Sequence, residues 1–223
     1  MDPALFDPLY FTANTRGALK MTVSIVSWVS VGLILLTSTV MLVNRDWRVS
    51  LGALALQYLA AFWLVTRHLP LAMGSAKLIA GWMVVAALGM TRLSLATIEV
   101  GSEDSFWPRG QWFRVILMSI AALAVAGSTP RIEAVVPGLG LQVIAGSLLL
   151  IGAGIMHLGT TSDLLRVILG LLTLLTGFEI LYAAVESSIL VAGLLAVTNL
   201  GLGIVGSYLM IAGSSPPETE ESL

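Results

Sequence analysis

Cysteine is absent from this 223-residue chain. That excludes disulfides, thiolate metal sites, iron–sulfur clusters and covalently attached haem. Charge is nearly as scarce. Asp, Glu, Lys and Arg make up 11% of the residues, against about 25% in an average soluble domain. The net charge is −2 and no basic cluster stands out, which argues against nucleic acid as a partner. Strand-like alternation of apolar and polar residues is also lacking, so a membrane barrel does not fit. There is no phosphate-binding glycine loop and no nucleophile–base arrangement. The start, Met1 to Leu19, carries Asp2, Asp7 and two prolines without a basic segment ahead of an apolar core, unlike a signal peptide.

What the chain has in quantity is apolar length. Hydrophobic residues make up 57% of it, and its mean hydropathy is +0.95. Apolar runs of roughly 20 residues recur between short polar breaks, as membrane-spanning helices require. Backbone groups inside hydrocarbon must be paired within the segment, so such runs fold as helices. The expected fold is an all-α, polytopic membrane bundle of seven transmembrane helices. The predicted spans are 19–43, 49–66, 70–91, 111–128, 134–158, 163–185 and 189–212. Residues 1–18 are expected as an N-terminal extramembrane segment and 19–212 as the membrane domain. Residues 213–223, with two prolines and three glutamates, are expected as a disordered acidic tail. Thr129-Pro130-Arg131 is expected to turn the chain between spans four and five. Residues 92–110 are expected as the longest loop.

Lys and Arg set orientation. Arg45, Arg48, Arg92, Arg109, Arg114 and Arg166 fall on one side, and Arg16, Lys20, Arg67 and Arg131 on the other. The excess places the C-terminus in the cytoplasm and the N-terminus outside. An integral protein of a prokaryotic inner membrane is the expected localisation.

Function must be read from polar groups in the wrong solvent. Lys77 lies about seven residues into span three, roughly 10 Å deep at about 1.5 Å per residue. A lysine at a helix centre costs about 2.5–3.5 kcal/mol on insertion scales. It is read either as a proton-relay or charge-coupling group, or as a lysine that snorkels outward or makes one structural pair. Glu179 and Glu186 stand two helical turns apart and are expected on one face of span six. They are read as a carboxylate entry to a proton path, or as one buried glutamate bonded to a neighbouring helix plus one solvated glutamate. Asn199, in mid-span seven, is a further path candidate whose plainer reading is interhelical glue. Gln57 and Gln142 read as glue too. Asp163 and Arg166, at the start of span six, form an ordinary boundary pair or a subunit contact. Gly170, Thr173 and Gly177 on span six, with Gly203 and Ser207 on span seven, form small-residue stripes that let helices approach closely. His68 and His157 fall at opposite faces and cannot share a haem. No catalytic residue, metal ligand or cofactor is assigned.

Several of these stretches resemble known families. Thr161-Ser-Asp-Leu-Leu-Arg-Val-Ile-Leu-Gly-Leu171 is similar to the start of the second helix in the K subunit of respiratory complex I and in the C subunit of Mrp-type cation/proton antiporters. Asn199-Leu-Gly-Leu-Gly203 lies where those families carry an acid or polar residue followed four later by glycine. Arg48 through Gln57, and Ser75-Ala-Lys77-Leu-Ile, resemble the second and third spans of the longer E subunit of hydrogenase-4-type complexes. The likeness covers residues 45–91 and 155–212. It implies a non-catalytic subunit, beside antiporter-like membrane subunits, that contributes to proton or sodium translocation. It also implies two membrane glutamates. The first would fall near Leu172 and the second at Asn199, and neither is an acid here. Two other readings stand beside this one: a purely structural scaffold in a respiratory or photosynthetic assembly, and an independent small transporter or channel. For a transporter, Gly138-Leu-Gly140 after Pro137 is the one hint of a broken helix.

Overall fold

A computed structural model describes residues 8–44, 46–96, 110–186 and 188–214. Among them are seven α-helices: α1 (Pro8–Val43), α2 (Trp47–Val65), α3 (Leu71–Ala96), α4 (Gly110–Val135), α5 (Leu141–Thr160), α6 (Leu164–Val185) and α7 (Ile189–Ser214). Each is long and apolar enough to cross a membrane. Hydrocarbon leaves no water to pair backbone groups, so the helices can be apolar all round and still stable.

The ends carry the local chemistry that polar breaks supply. Asp46 caps α2, its Oδ1 accepting from the Arg48 N–H at 2.9 Å. Pro70 stands just before α3, where its carbonyl accepts from Met73 and Gly74. α1 starts at Pro8, ahead of the expected span, whose apolar part is Leu19–Val43. α3 runs on through Arg92 to Ala96, so the expected loop loses its first residues to helix. Its remainder, 97–109, lies outside the described residues, as do residues 215–223 of the expected tail.

The expected turn at Thr129-Pro130-Arg131 is corrected. Pro130 sits inside α4. Hydroxyls next to it bond back to the preceding turn: Thr129 Oγ1 donates to the Val125 carbonyl at 2.7 Å, and Ser128 Oγ to that of Ala124. The chain reverses instead at residues 136–140, where Gly138 (φ 99°) and Gly140 (φ 84°) adopt backbone angles that suit glycine. The Glu133 carboxylate accepts from both glycine N–H groups, at 3.4 and 3.1 Å. This turn lies between helices, so it does not break one in mid-membrane.

α2, α5 and α6 form the centre. Their most apolar windows are 56% buried, against 11% for α4 and 17% for α7. One core cluster gathers Ile34, Leu64, Leu150 and Ile180. The other gathers Leu54, Val84, Leu88, Leu169 and Leu172. α5 and α6 touch almost backbone to backbone. A Cβ on Gly177 would meet the Ser147 carbonyl oxygen at 2.7 Å, and one on Gly154 the Gly170 carbonyl oxygen at 2.8 Å. A Cβ on Gly170 would come within 2.9 Å of His157 Cβ. On α7, one on Gly203 would meet Val84 of α3 at 2.8 Å.

Candidate functional site

α3 and α6 each carry a charge at similar depth, about two turns from the ends that share one side of the bundle. The structure brings these charges together. Lys77 Nζ lies 3.8 Å from Glu179 Oε2, and the two side chains are 10% and 6% exposed. The lysine therefore turns inward to a carboxylate and does not snorkel. At 3.8 Å the pair is electrostatic, longer than a hydrogen bond. Glu179 Oε1 is buried and has no hydrogen-bond partner among the described residues.

Glycines set how closely α2 approaches this face of α3. A Cβ on Gly81 would fall 2.7 Å from the Tyr58 ring, and one on Gly74 would fall 2.7 Å from Thr66 Cγ2. Gly74, Lys77 and Gly81 recur at three and four residues and so share a face. The close approach holds the Tyr58 ring over the same space that Lys77 enters. A cavity of about 20 Å³ lies there, lined by Tyr58, Phe62, Lys77, Thr176 and Glu179 among others. That volume accommodates about one water molecule.

A file of polar side chains extends from the pair toward the middle of the bundle. Thr173, Thr176 and Glu179 recur every three residues on α6, and all three are buried. Tyr58 Oη donates to Asn199 Oδ1 of α7 at 3.1 Å. Thr173 Oγ1 donates to Gln57 Oε1 at 3.2 Å, and Gln57 Nε2 donates to Ser38 Oγ of α1 at 2.9 Å. Thr176 Oγ1 donates to the Leu172 carbonyl of its own helix at 2.7 Å. Four helices thus meet through buried amides and hydroxyls next to one buried ion pair. Such groups can hold, orient and exchange protons. Asn199 can only orient, since an amide does not titrate in the ordinary range.

The other candidates lie elsewhere. Glu186 is the C-cap of α6, with extended backbone (φ −135°, ψ 130°). It is exposed, so the helical repeat that would align it with Glu179 stops one residue short. Asp163 and Arg166 pair at 3.8 Å at the opposite end of α6. Gly170 and Gly177 face α5, whereas Thr173 turns to Gln57 of α2. Gly203 faces α3, and Ser207 Oγ is buried with no hydrogen-bond partner among the described residues. Gln142 Nε2 donates to Ser24 Oγ at 3.3 Å, linking α5 to α1. His68 Nε2 lies 3.1 Å from the Leu139 carbonyl. His157 is buried at the other end of the bundle. No group of three metal-ligating His, Cys, Asp or Glu side chains occurs among the described residues.

Sequence reasoning missed Tyr58, Thr176 and Ser38. A signal for Tyr58 did exist. Membrane tyrosines concentrate in the headgroup belts, and this one lies inside span two next to a glutamine. Comparison with known proteins gives no relative: no family model, no curated protein and no solved structure matches this chain.

Proposed function

We propose that this chain is a non-catalytic integral subunit of a multisubunit redox-linked or antiporter-type membrane complex, where it contributes to proton or sodium translocation or to its coupling. The observation that carries this reading is the buried Lys77–Glu179 pair, 3.8 Å apart inside the bundle. Ionisable groups within spans are costly and mark ion pathways or relays. Glu179 can take up and release a proton, and Lys77 can hold the site's charge balance as it does so. Tyr58, Thr176, Thr173 and Gln57 extend the polar face beyond them. The resemblance of residues 45–91 and 155–212 to subunits of complex I, Mrp antiporters and hydrogenase-4 complexes supports the same class. Its partners on this reading are antiporter-like membrane subunits and lipid. It sits in a prokaryotic inner membrane with the N-terminus outside and the C-terminus cytoplasmic.

One observation favours a scaffold instead. The cavity beside the pair holds about 20 Å³, room for about one water and not a file of them. In that reading the pair pins α3 to α6 and carries nothing.

Ion uptake by vesicles from the host membrane separates the two. Glu179→Gln and Lys77→Met are compared with wild type, and assembly is followed by native gel electrophoresis. Lost translocation in an assembled complex supports coupling. Where a single variant fails to assemble, the double variant Lys77→Met with Glu179→Gln decides: translocation regained together with assembly supports the scaffold. Unchanged translocation in an assembled complex overturns the coupling role.

A further inference from the structure

Among the described residues α3 and α6 do not pack against each other, although their charges meet; α2 and α7 each touch both. The four helices therefore close a ring around the Lys77–Glu179 pair. Each supplies one polar group to its interior: Tyr58 of α2, Lys77 of α3, Glu179 of α6 and Asn199 of α7. Toward the opposite end of the bundle, each then supplies an apolar one. Leu54 comes one turn before Tyr58, Val84 two turns after Lys77, Leu172 two turns before Glu179 and Gly203 one turn after Asn199. At those spacings every one keeps the face of its polar neighbour. Leu54, Val84 and Leu172 belong to one core cluster and are at most 1% exposed. A Cβ on Gly203 would lie 2.8 Å from Val84, so α7 closes the layer with its backbone.

No relay crosses this layer through the hydrogen bonds beside it. Tyr58 ends on Asn199, and Thr173 ends on Gln57. Thr176 turns back to the Leu172 carbonyl of its own helix. Asn199 and Gln57 are amides, which do not titrate in the ordinary range and so interrupt proton transfer.

The other side of the pair differs. Lys77 lies six residues from the start of α3 and Glu179 six from the end of α6, a depth of about 9 Å. The cavity of about 20 Å³ beside them has Val65, the last residue of α2, in its wall together with Tyr58 and Thr176. It thus reaches from the level of the pair toward the end that carries residues 66–70, and it is polar and roomy enough for one water.

We propose that, in this conformation, Glu179 exchanges its proton with water at the 66–70 end alone, and that Leu54, Val84 and Leu172, closed by Gly203, form a dry gate against the opposite end. Apolar constrictions close membrane paths by excluding water. The proposal rests on reading Glu179 as a proton carrier. The carboxylate takes its proton from hydronium, leaving water, and returns it the same way. Passage to the far side then requires α7 and α3 to part where Gly203 meets Val84.

Sided infrared spectroscopy of the full chain in vesicles tests the gate. The carboxyl band of protonated Glu179 is the one that Glu179→Gln removes, and labelling of Arg67→Cys fixes the orientation in the vesicle. A pH jump on the side of residue 67 is expected to change the band at once. A jump on the opposite side is expected to change it only as fast as the vesicles leak protons. Val84→Ser gives water both room and a polar partner in the gate, and is expected to abolish the difference between the sides. Leu54→Ser serves where that variant does not fold, and the wild-type comparison decides even if neither folds. A wild-type band that answers both sides alike, the far side alone or neither side overturns the proposal. So does sidedness unchanged in a folded gate variant. Ion uptake keeps this apart from the coupling role. A two-sided band with uptake lost in Glu179→Gln overturns the gate and leaves the coupling, whereas a one-sided band with uptake unchanged supports the gate and overturns the coupling.

Discussion

Lys77 Nζ and Glu179 Oε2 stand 3.8 Å apart and join the third helix to the sixth. Each charge alone is expensive in this solvent, and together they offset much of that cost. Removing one partner strands the other, whereas neutralising both leaves no unpaired charge.

Lys77→Met and Glu179→Gln are therefore each expected to lower stability by about 3–5 kcal/mol, and the double variant by far less than their sum. Thermal unfolding in detergent of all four proteins measures the coupling. Additive losses would show that the two groups do not interact.

Tyr58→Phe removes the hydroxyl that reaches Asn199 Oδ1. Hydrogen bonds between membrane helices average about 0.6 kcal/mol, so the fold is expected to persist with a small loss of thermal stability. Tyr208→Phe is the control, because Tyr208 is 68% exposed. If both substitutions have the same effect, the Tyr58–Asn199 contact contributes nothing.

Gly177→Leu drives a side chain into the Ser147 carbonyl and the Ile151 amide, both within 2.8 Å of where a Cβ would lie. Overpacking costs about 1–3 kcal/mol even where neighbours can yield, and a backbone cannot yield easily. The variant is expected to lose monodispersity in size-exclusion chromatography. Gly152→Ala, where a Cβ meets nothing within 4 Å, is expected to elute like wild type.

Sidedness is directly measurable because the natural chain has no cysteine. Arg67 and Ser162 are exposed and lie in turns at opposite ends of the bundle. With the orientation proposed above, an impermeant maleimide labels Arg67→Cys on intact cells and Ser162→Cys only after permeabilisation. The reverse pattern inverts the topology.

The seven spans were legible because length and hydropathy alone decide what crosses a bilayer. Lys77 and Glu179 were legible one at a time, since an ionised group in hydrocarbon stands out by its cost. That they meet was not, because helix rotation and neighbour choice come from packing across spans far apart in sequence. The glycines of α6 were readable as a contact stripe, but its partner, α5, was not. Tyr58 escaped because a tyrosine in an apolar run costs little until its hydroxyl needs a partner. The break after span four was misplaced because Ser-Thr-Pro reads as a turn in water. In lipid an open backbone turn is costly, so the helix runs on past Pro130 to Val135, and the positive φ of Gly138 and Gly140 sets the true reversal.

The order of the helices along the chain has a consequence for biogenesis. Lys77 leaves the ribosome in the third span, but its counter-ion arrives only with the sixth, after two further spans. Tyr58 waits longer still, for an asparagine of the seventh. Until the sixth span is inserted the nascent ammonium lacks this partner, at a cost of about 2.5–3.5 kcal/mol at a helix centre, which favours shelter by the insertion machinery or a position near the aqueous boundary in the meantime.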